Sequence, residues 1–322
     1  MPFATRIHAY GGPDVLRYED VPVGTPGPGE VLLRQHAIGV NYIDVYQRTG
    51  LYKVAGFPAT LGSEGAGEVI AVGPGVETFR AGDRAAYAGP IGGYAEVRLI
   101  PAERLVKLPG SIAYETAAAM MLRGMTARYL LRETYKVGPG TVMLMHAAAG
   151  GVGLIVCQWA RTLGAIIIGT VSSEEKAEVA KTYGCTYTIN TNREDFVARV
   201  KELTGGRGCD VVYDSIGRDT FPQSLECLKP KGLWVSFGNS SGPVPPFELT
   251  ALKGSLFATR PSLFAYTATR QDLEQNAAEL FEMVSSGKIR IAINQTYRLS
   301  AAADAHRDLE ARRTTGSVIL VP

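Results

Sequence analysis

The sequence predicts an α/β protein in two parts, a β-rich module joined to a doubly wound parallel sheet. Three observations carry that reading. Between Val31 and Leu108, short β-rich runs (VLLRQHAIGV, AGEVIAVG, DRAAYAG, YAEVRLI) alternate with Gly/Pro punctuation (PGPGE, GPGVE, GPIGG, LPG), the texture of a compact, mostly antiparallel β module. From Thr141 the runs TVMLMH, AIIIGTV, CDVVYD and GLWVSFG are apolar throughout and are separated by helical stretches at 153–163, 174–182 and 193–203. Strands apolar on both faces belong in a parallel sheet covered by helices. Third, the small-residue knot HAAAGGVG (146–153) sits where the first of those strands meets the first of those helices.

Taken in order, the β module gives way near Ala113 to YETAAAMMLRGMTARYLLRETY, an Ala/Leu/Met-rich helix stopped by Gly138-Pro139. The βα alternation follows. After about residue 262 comes the amphipathic helix DLEQNAAELFEMVSSG, and GSVILVP reads as a closing strand.

Composition narrows the function classes. Glycine is in excess, 37 of 322 residues, and its scatter between apolar runs points to tight turns and close backbone approaches rather than disorder. The net charge of +2 with dispersed basic residues offers no footprint for nucleic acid. No apolar stretch approaches the roughly 20 residues that span a bilayer. The opening MPFATRIHAYGG has no apolar signal region. Cys157, Cys185, Cys209 and Cys227 lie too far apart for a C-x-x-C pair, so free thiols in a reducing cytoplasm are expected.

A dinucleotide site needs a tight strand-to-helix turn, backbone bare enough to approach a pyrophosphate, and a helix N-terminus aimed at the anion. HAAAGGVG meets these demands: it leaves TVMLMH and opens GLIVCQWARTLG, with Gly164 as the stop. The end of the second strand reports on the cofactor. An NAD site usually places an acid there for the ribose 2′-OH; here IIIGTV ends in Ser172-Ser173. Glu174 and Glu175 come one step later, and Ser172-x-x-Glu175 reads as a capping box for the next helix.

The spacing A-x-x-G-x-x-G (Ala147, Gly150, Gly153) resembles the medium-chain dehydrogenase/reductase superfamily, and within it the zeta-crystallin-like NADPH:quinone oxidoreductases. The resemblance covers essentially the whole chain: GGPDVL (11–16), AIGVNYIDVYQRTGLY (37–52), LGSEGAGEVIAVGPGV (61–76), AGDRAAY (81–87), AAAGGVGLIVCQWA (147–160), DSIGRDTF (214–221), SFGNSSG (236–242) and TRPSL (259–263). It implies a GroES-like β-rich catalytic domain from 1–123 and 262–322 and a Rossmann NADPH-binding domain from 124–261. It also implies a homodimer, in which a strand near GLWVSF and GSLFATR pairs across a two-fold axis.

The same resemblance implies the site residues. Gly150, Gly151, Val152 and Gly153 would hold the pyrophosphate, and Ser172 and Lys176 the 2′-phosphate. Thr191 stands where relatives often carry Tyr. Arg123 and Thr126 match a helix that approaches the cofactor. Phe237, Gly238, Asn239 and Ser240 match a loop that holds the carboxamide, and Arg260 a cleft arginine that reaches cofactor or substrate. Asn41 and Tyr46 would lie near the nicotinamide and its ribose, while Asp44 and Tyr52 would shape the substrate mouth. Tyr and Asn donors suit a developing oxyanion; no dedicated general acid is evident.

Zinc-dependent alcohol dehydrogenases of the superfamily carry a ligand His in Gly-His-Glu and four closely spaced cysteines; this chain has Gly62-Ser63-Glu64 and dispersed cysteines. His8, His36, His146 and His306 are isolated, so no metal is expected. Hydride arrival at a quinone leaves a delocalised phenolate that ordinary donors can stabilise, which makes quinone reduction by NADPH the expected activity. NADPH-dependent reduction of an enone or enoyl thioester shares every cofactor feature. A non-catalytic NADPH-binding or RNA-binding crystallin-like role is the alternative from another class.

Overall fold

Turns every few residues leave the first third of the chain room only for short antiparallel pairings. The computed structural model, which describes all 322 residues, builds its first unit from them. Chain order gives β1 (Phe3–Ile7), β2 (Leu16–Asp20), β3 (Glu30–Val40), α1 (Tyr42–Thr49), β4 (Ala59–Thr60), β5 (Glu64–Val72), β6 (Arg84–Ala88), β7 (Val97–Pro101) and β8 (Val106–Lys107). Then α2 (Tyr114–Tyr129) runs on into a π-helical stretch over 130–134.

The second rhythm follows: β9 (Val142–Met145), α3 (Gly151–Thr162), β10 (Ile166–Val171), α4 (Glu174–Thr182), β11 (Tyr187–Asn190), α5 (Phe196–Leu203), β12 (Cys209–Asp214), α6 (Gln223–Glu226), β13 (Leu228–Ser236), β14 (Phe257–Thr259) and α7 (Leu263–Tyr266). The chain closes with α8 (Arg270–Ser285), β15 (Ile293–Arg298), α9 (Ala302–Glu310) and β16 (Ser317–Val321). One unit comprises Met1–Met125, Thr267–Ser286 and Ile291–Pro322, the other Thr126–Tyr266 and Gly287–Arg290.

In the first unit, β3 is the spine. It has 11 residues: the first seven alternate buried Val31, Leu33 and Gln35 with more exposed Leu32, Arg34 and His36, and the last four are all buried. It pairs antiparallel with β5, β7 and β16. The sheet order is β15-β16-β3-β5-β6-β8, and a smaller sheet runs β2-β1-β4. One core forms around Ile7, Ile38, Leu61, Tyr94, Leu299 and Leu320, a second around Val31, Leu33, Val69, Tyr87 and Ile100.

In the second unit six strands lie in the order β11-β10-β9-β12-β13-β14, all parallel. The strand order reverses at β9, and ligands of open α/β sheets bind beyond the carboxyl ends of strands at such a switch point. β9 and β12 are buried along their whole length, as apolar-throughout runs require. β14 ends the sheet as an edge, with Phe257 61% exposed. No helix is long and apolar enough to cross a membrane.

Candidate active site

The candidate residues divide between the two units. In the second unit, the knot after β9 turns on Ala147, whose φ of 53° places an alanine in the left-handed region. The Gly150 N–H donates to Ala147 O at 2.9 Å, closing the turn. α3 then starts two residues earlier than the apolar run suggests, so Gly151, Val152 and Gly153 are its first helical turn rather than loop. Gly150 is the N-cap and has no side chain with which to cap their N–H groups. A Cβ at Gly153 would come within 2.5 Å of Ala147 O and 2.6 Å of Ala148 O. Only glycine lets the helix start this close to the strand, and the result is a set of bare amides at a positive helix end.

Next to the knot, β10 ends at Val171 and α4 begins. The N-cap is Ser173, whose Oγ accepts the Lys176 N–H at 3.3 Å. This corrects the capping box read from Ser172: the helix starts one residue later, and Ser172 is left half-buried outside it with its carbonyl accepting from Asn192 Nδ2 at 2.7 Å. Glu174 does not stand in for the ribose-binding acid. Its Oε1 accepts from Asn190 Nδ2 at 2.7 Å and faces Arg193 at 3.5 Å. Thr191 is exposed, and its hydroxyl donates to Val171 O at 3.2 Å. Asn192 and Arg193 were missed from the sequence; they follow β11, a strand without an apolar run to mark it.

Beyond β13, Phe237 and Ser240 are half-buried and Gly238 and Asn239 buried. A Cβ on Gly238 would meet Ser215 O at 2.6 Å, so this loop packs directly on the one after β12. Ser240 N and Ser241 N donate back to Ser215 O and Ile216 O. Asp214, also missed, organises the pair: its buried carboxylate accepts from Ile216 N, Gly217 N, Thr220 Oγ1 and Ser224 Oγ at 2.8 to 3.1 Å. Burial lowers the pKa of His146, which bonds Thr170 and Ser224 on either side as a packed core residue. Arg260 is exposed and donates to Ser236 O at 3.1 Å. Thr126 is buried and bonds Tyr129.

In the first unit, VNYIDVYQRTGLY forms α1, with Asn41 as N-cap and Gly50, φ 81°, closing it. The Asp44 carboxylate accepts the Asn41 N–H at 2.8 Å, reaching back across the first turn. Asp44 is 0% exposed, so it does not shape a substrate mouth: it faces inward, where Tyr94 and Ser63 also donate to it. Burial pushes its pKa up to about 7, against the hydrogen bonds from Asn41 and Tyr94, which lower it. Tyr46 is nearly buried, and its ring meets half-buried Tyr52 edge-on with centroids 5.2 Å apart.

Arg123 also differs from expectation. Rather than reaching toward a cofactor, its buried guanidinium donates to Glu64 Oε1 at 2.9 Å and to Val40 O. Glu64 accepts as well from Asn41 Nδ2 and Leu122 N, each at 2.7 Å. Burial pushes the Glu64 carboxyl up, and Arg123 pulls it back. Glu64 thus fixes one face of the Asn41 amide. Ser63, in the position of the alcohol-dehydrogenase ligand, gives its hydroxyl to Asp44 at 3.3 Å. No three His, Cys, Asp or Glu side chains converge as a metal site requires.

Comparisons with known proteins match two stretches of the chain. The Alcohol dehydrogenase GroES-like domain family matches residues 27–110, and the Zinc-binding dehydrogenase family residues 151–283. The chain is 55% identical to a quinone oxidoreductase of Pseudomonas aeruginosa over 317 residues, 98% of each chain. It is 46% identical to a 2-haloacrylate reductase of a Burkholderia species, covering 100% of this chain and 99% of that one. The crystal structure of Escherichia coli quinone oxidoreductase complexed with NADPH superposes with a TM-score of 0.98 at 47% identity, over 99% of this chain and 100% of that one.

Proposed function

The chain belongs to the quinone oxidoreductase family of the medium-chain dehydrogenase/reductase superfamily, and from that premise we propose how its residues reduce quinones with NADPH. The observation that carries the reading is the N-terminus of α3, where bare amides and a glycine that no side chain can replace form a pyrophosphate cradle.

The coenzyme belongs to the second unit. Gly150, Gly151, Val152 and Gly153 hold the pyrophosphate through backbone N–H groups. Ser172 and Lys176 take the 2′-phosphate, with Thr191 beside them. Glu174 is already engaged by Asn190 and Arg193, so its carboxylate is held by those partners rather than offered to a ribose hydroxyl. Phe237, Gly238, Asn239 and Ser240 supply the loop for the carboxamide, and Arg260 a cation for cofactor or substrate. Bound NADPH supplies the hydride.

Asn41 and Tyr46 orient the acceptor and donate hydrogen bonds to the oxygen on which charge develops, and Tyr52 packs beside Tyr46 as the acceptor's apolar wall. A quinone suits such a site, since the arriving hydride leaves a delocalised phenolate that neutral donors stabilise and solvent protonates. Asp44, fully buried, serves as the cap of α1 and not as an acid in contact with the acceptor.

The exposed β14 edge is the surface for a second copy: pairing there covers Phe257 and removes an open strand edge. The protein acts in the cytoplasm, where its four buried thiols stay reduced. The testing experiment follows NADPH and NADH consumption with 1,4-benzoquinones, alkenals and enoyl thioesters side by side. NADPH with benzoquinone is expected to give the highest kcat/KM; preference for a thioester would move the protein into the enoyl-reductase class.

A further inference from the structure

Helix α1 is braced at both of its ends by one chain of buried hydrogen bonds that leaves the helix and returns to it. Arg48, in its last turn and 1% exposed, donates from Nη1 to His306 Nδ1 at 3.1 Å. An arginine can only donate, so His306 Nδ1 is an acceptor and its proton resides on Nε2. That Nε2 lies 2.9 Å from the Tyr94 oxygen, and the Tyr94 hydroxyl lies 3.0 Å from Asp44 Oδ2. The same Oδ2 holds the Asn41 N–H at the start of the helix. Direction therefore runs one way, from Arg48 through His306 and Tyr94 to Asp44. Glu310 anchors the far end by accepting from Arg48 at 2.8 and 2.9 Å.

We propose that Tyr94 and His306 are positioning residues of the active site, acting through Asp44 on the first turn of α1 and so on Asn41 and Tyr46. The inference rests on the reading that those two residues meet the acceptor. Neither Tyr94 nor His306 touches it: both are fully buried. The charged and titratable groups around Asp44 are Arg48 on its own helix, Glu64 from β5, Arg123 from α2, Tyr94 from the 93–95 turn and His306 from α9. Burial keeps Tyr94 protonated and His306 neutral near neutral pH. Asp44 is the member of the chain that changes charge there, and its carboxylate form grips the Asn41 N–H more strongly than the acid does.

The experiment is the pH profile of kcat/KM for 1,4-benzoquinone with NADPH, on wild type, Tyr94→Phe and Asp44→Asn, with circular dichroism to establish folding. Wild type is expected to gain activity through a limb near pH 7. Tyr94→Phe removes a donor that favours the carboxylate, so its limb moves up by about one pH unit. Its plateau falls about tenfold, the scale of a small misplacement of reacting groups. Asp44→Asn loses the limb altogether. A folded Tyr94→Phe with the wild-type limb and plateau overturns the proposal. If Tyr94→Phe does not fold, Asp44→Asn decides: loss of the limb supports the proposal and retention overturns it. Absence of quinone turnover by wild type is a separate result, which removes the reading underneath.

Discussion

The side-chain amide of Asn41 meets Glu64 Oε1 at 2.7 Å, on the same oxygen that Arg123 reaches at 2.9 Å. All three groups are buried, so Glu64 does two things at once: it neutralises Arg123 and fixes one N–H of Asn41. Glu64→Ala strands a buried cation and is expected to lower stability by about 3–5 kcal/mol. Glu64→Gln, which keeps a hydrogen-bonding oxygen, is expected to cost less. Urea denaturation of both variants checks the ordering, and equal losses would mean that the hydrogen-bonding oxygen kept by Gln contributes nothing beside the lost charge.

At the other unit, Gly153 leaves no room for a methyl group between α3 and the backbone of Ala147 and Ala148. Gly153→Ala is expected to push the first turn of α3 away from the pyrophosphate and to weaken NADPH binding by about tenfold or more, roughly 1.4 kcal/mol. Fluorescence titration with NADPH alone reads this without reference to any acceptor. An unchanged Kd would place the pyrophosphate elsewhere.

Coenzyme choice is expected to follow Lys176 and Ser172. Lys176→Ala removes a charge-assisted contact and is expected to lower kcat/KM for NADPH by about tenfold to a hundredfold, with NADH little affected. Ser172→Asp adds an acid for the ribose 2′-OH and repulsion for a 2′-phosphate, and should reverse the preference. The ratio of the two kcat/KM values is the readout in both cases.

Sensitivity to acid has a source in His306, whose pKa falls from 6.5 to about 3 through burial and the neighbouring Arg48 cation. A histidine depressed in the fold contributes stability that is present above pH 6.5 and is lost as pH falls toward 3. His146 has the same sign. Asp44 has the opposite sign: raised from 3.8 to about 7, it contributes stability below 3.8 that is lost as pH rises through 7. His306→Gln is therefore expected to flatten the acid limb of the stability curve between pH 6.5 and 3, measured by denaturant midpoints across that range.

Phe257 on the edge strand is the simplest probe of assembly. Phe257→Lys is expected to shift sedimentation from dimer to monomer while NADPH affinity stays as in wild type, since the proposed pyrophosphate cradle is at the start of α3 and not on β14. A monomeric wild type would remove the dimer from the account.

Much of the architecture was legible because burial on both faces leaves an unambiguous mark. TVMLMH and CDVVYD could only be interior strands, and α4 falls on the residues its pattern named. β11 escaped notice because TYTIN mixes hydroxyl and apolar side chains at a partly exposed position. The small residues of the knot marked the strand-to-helix turn but placed the start of α3 two residues late, and the left-handed Ala147 is a position that sequence alone does not single out. Asp44 and Arg123 were assigned from the resemblance to the substrate mouth and to the approach to the cofactor; the structure buries both. A charged residue in an apolar stretch looks the same on paper whether it faces a ligand or, as here, a buried partner from another part of the chain: Tyr94 for one and Glu64 for the other. Asp214 was hidden for the same reason, since its five donors come from its own loop, α6 and β13.

The most direct test is an anaerobic single turnover in which the chain, preloaded with one equivalent of NADPH in the presence of a chelator, is mixed with one equivalent of 1,4-benzoquinone. The expected result is one hydroquinone formed for each NADPH oxidised, at the rate seen without chelator. NADPH that stays reduced, or oxidation that disappears when the chelator is added, would contradict it.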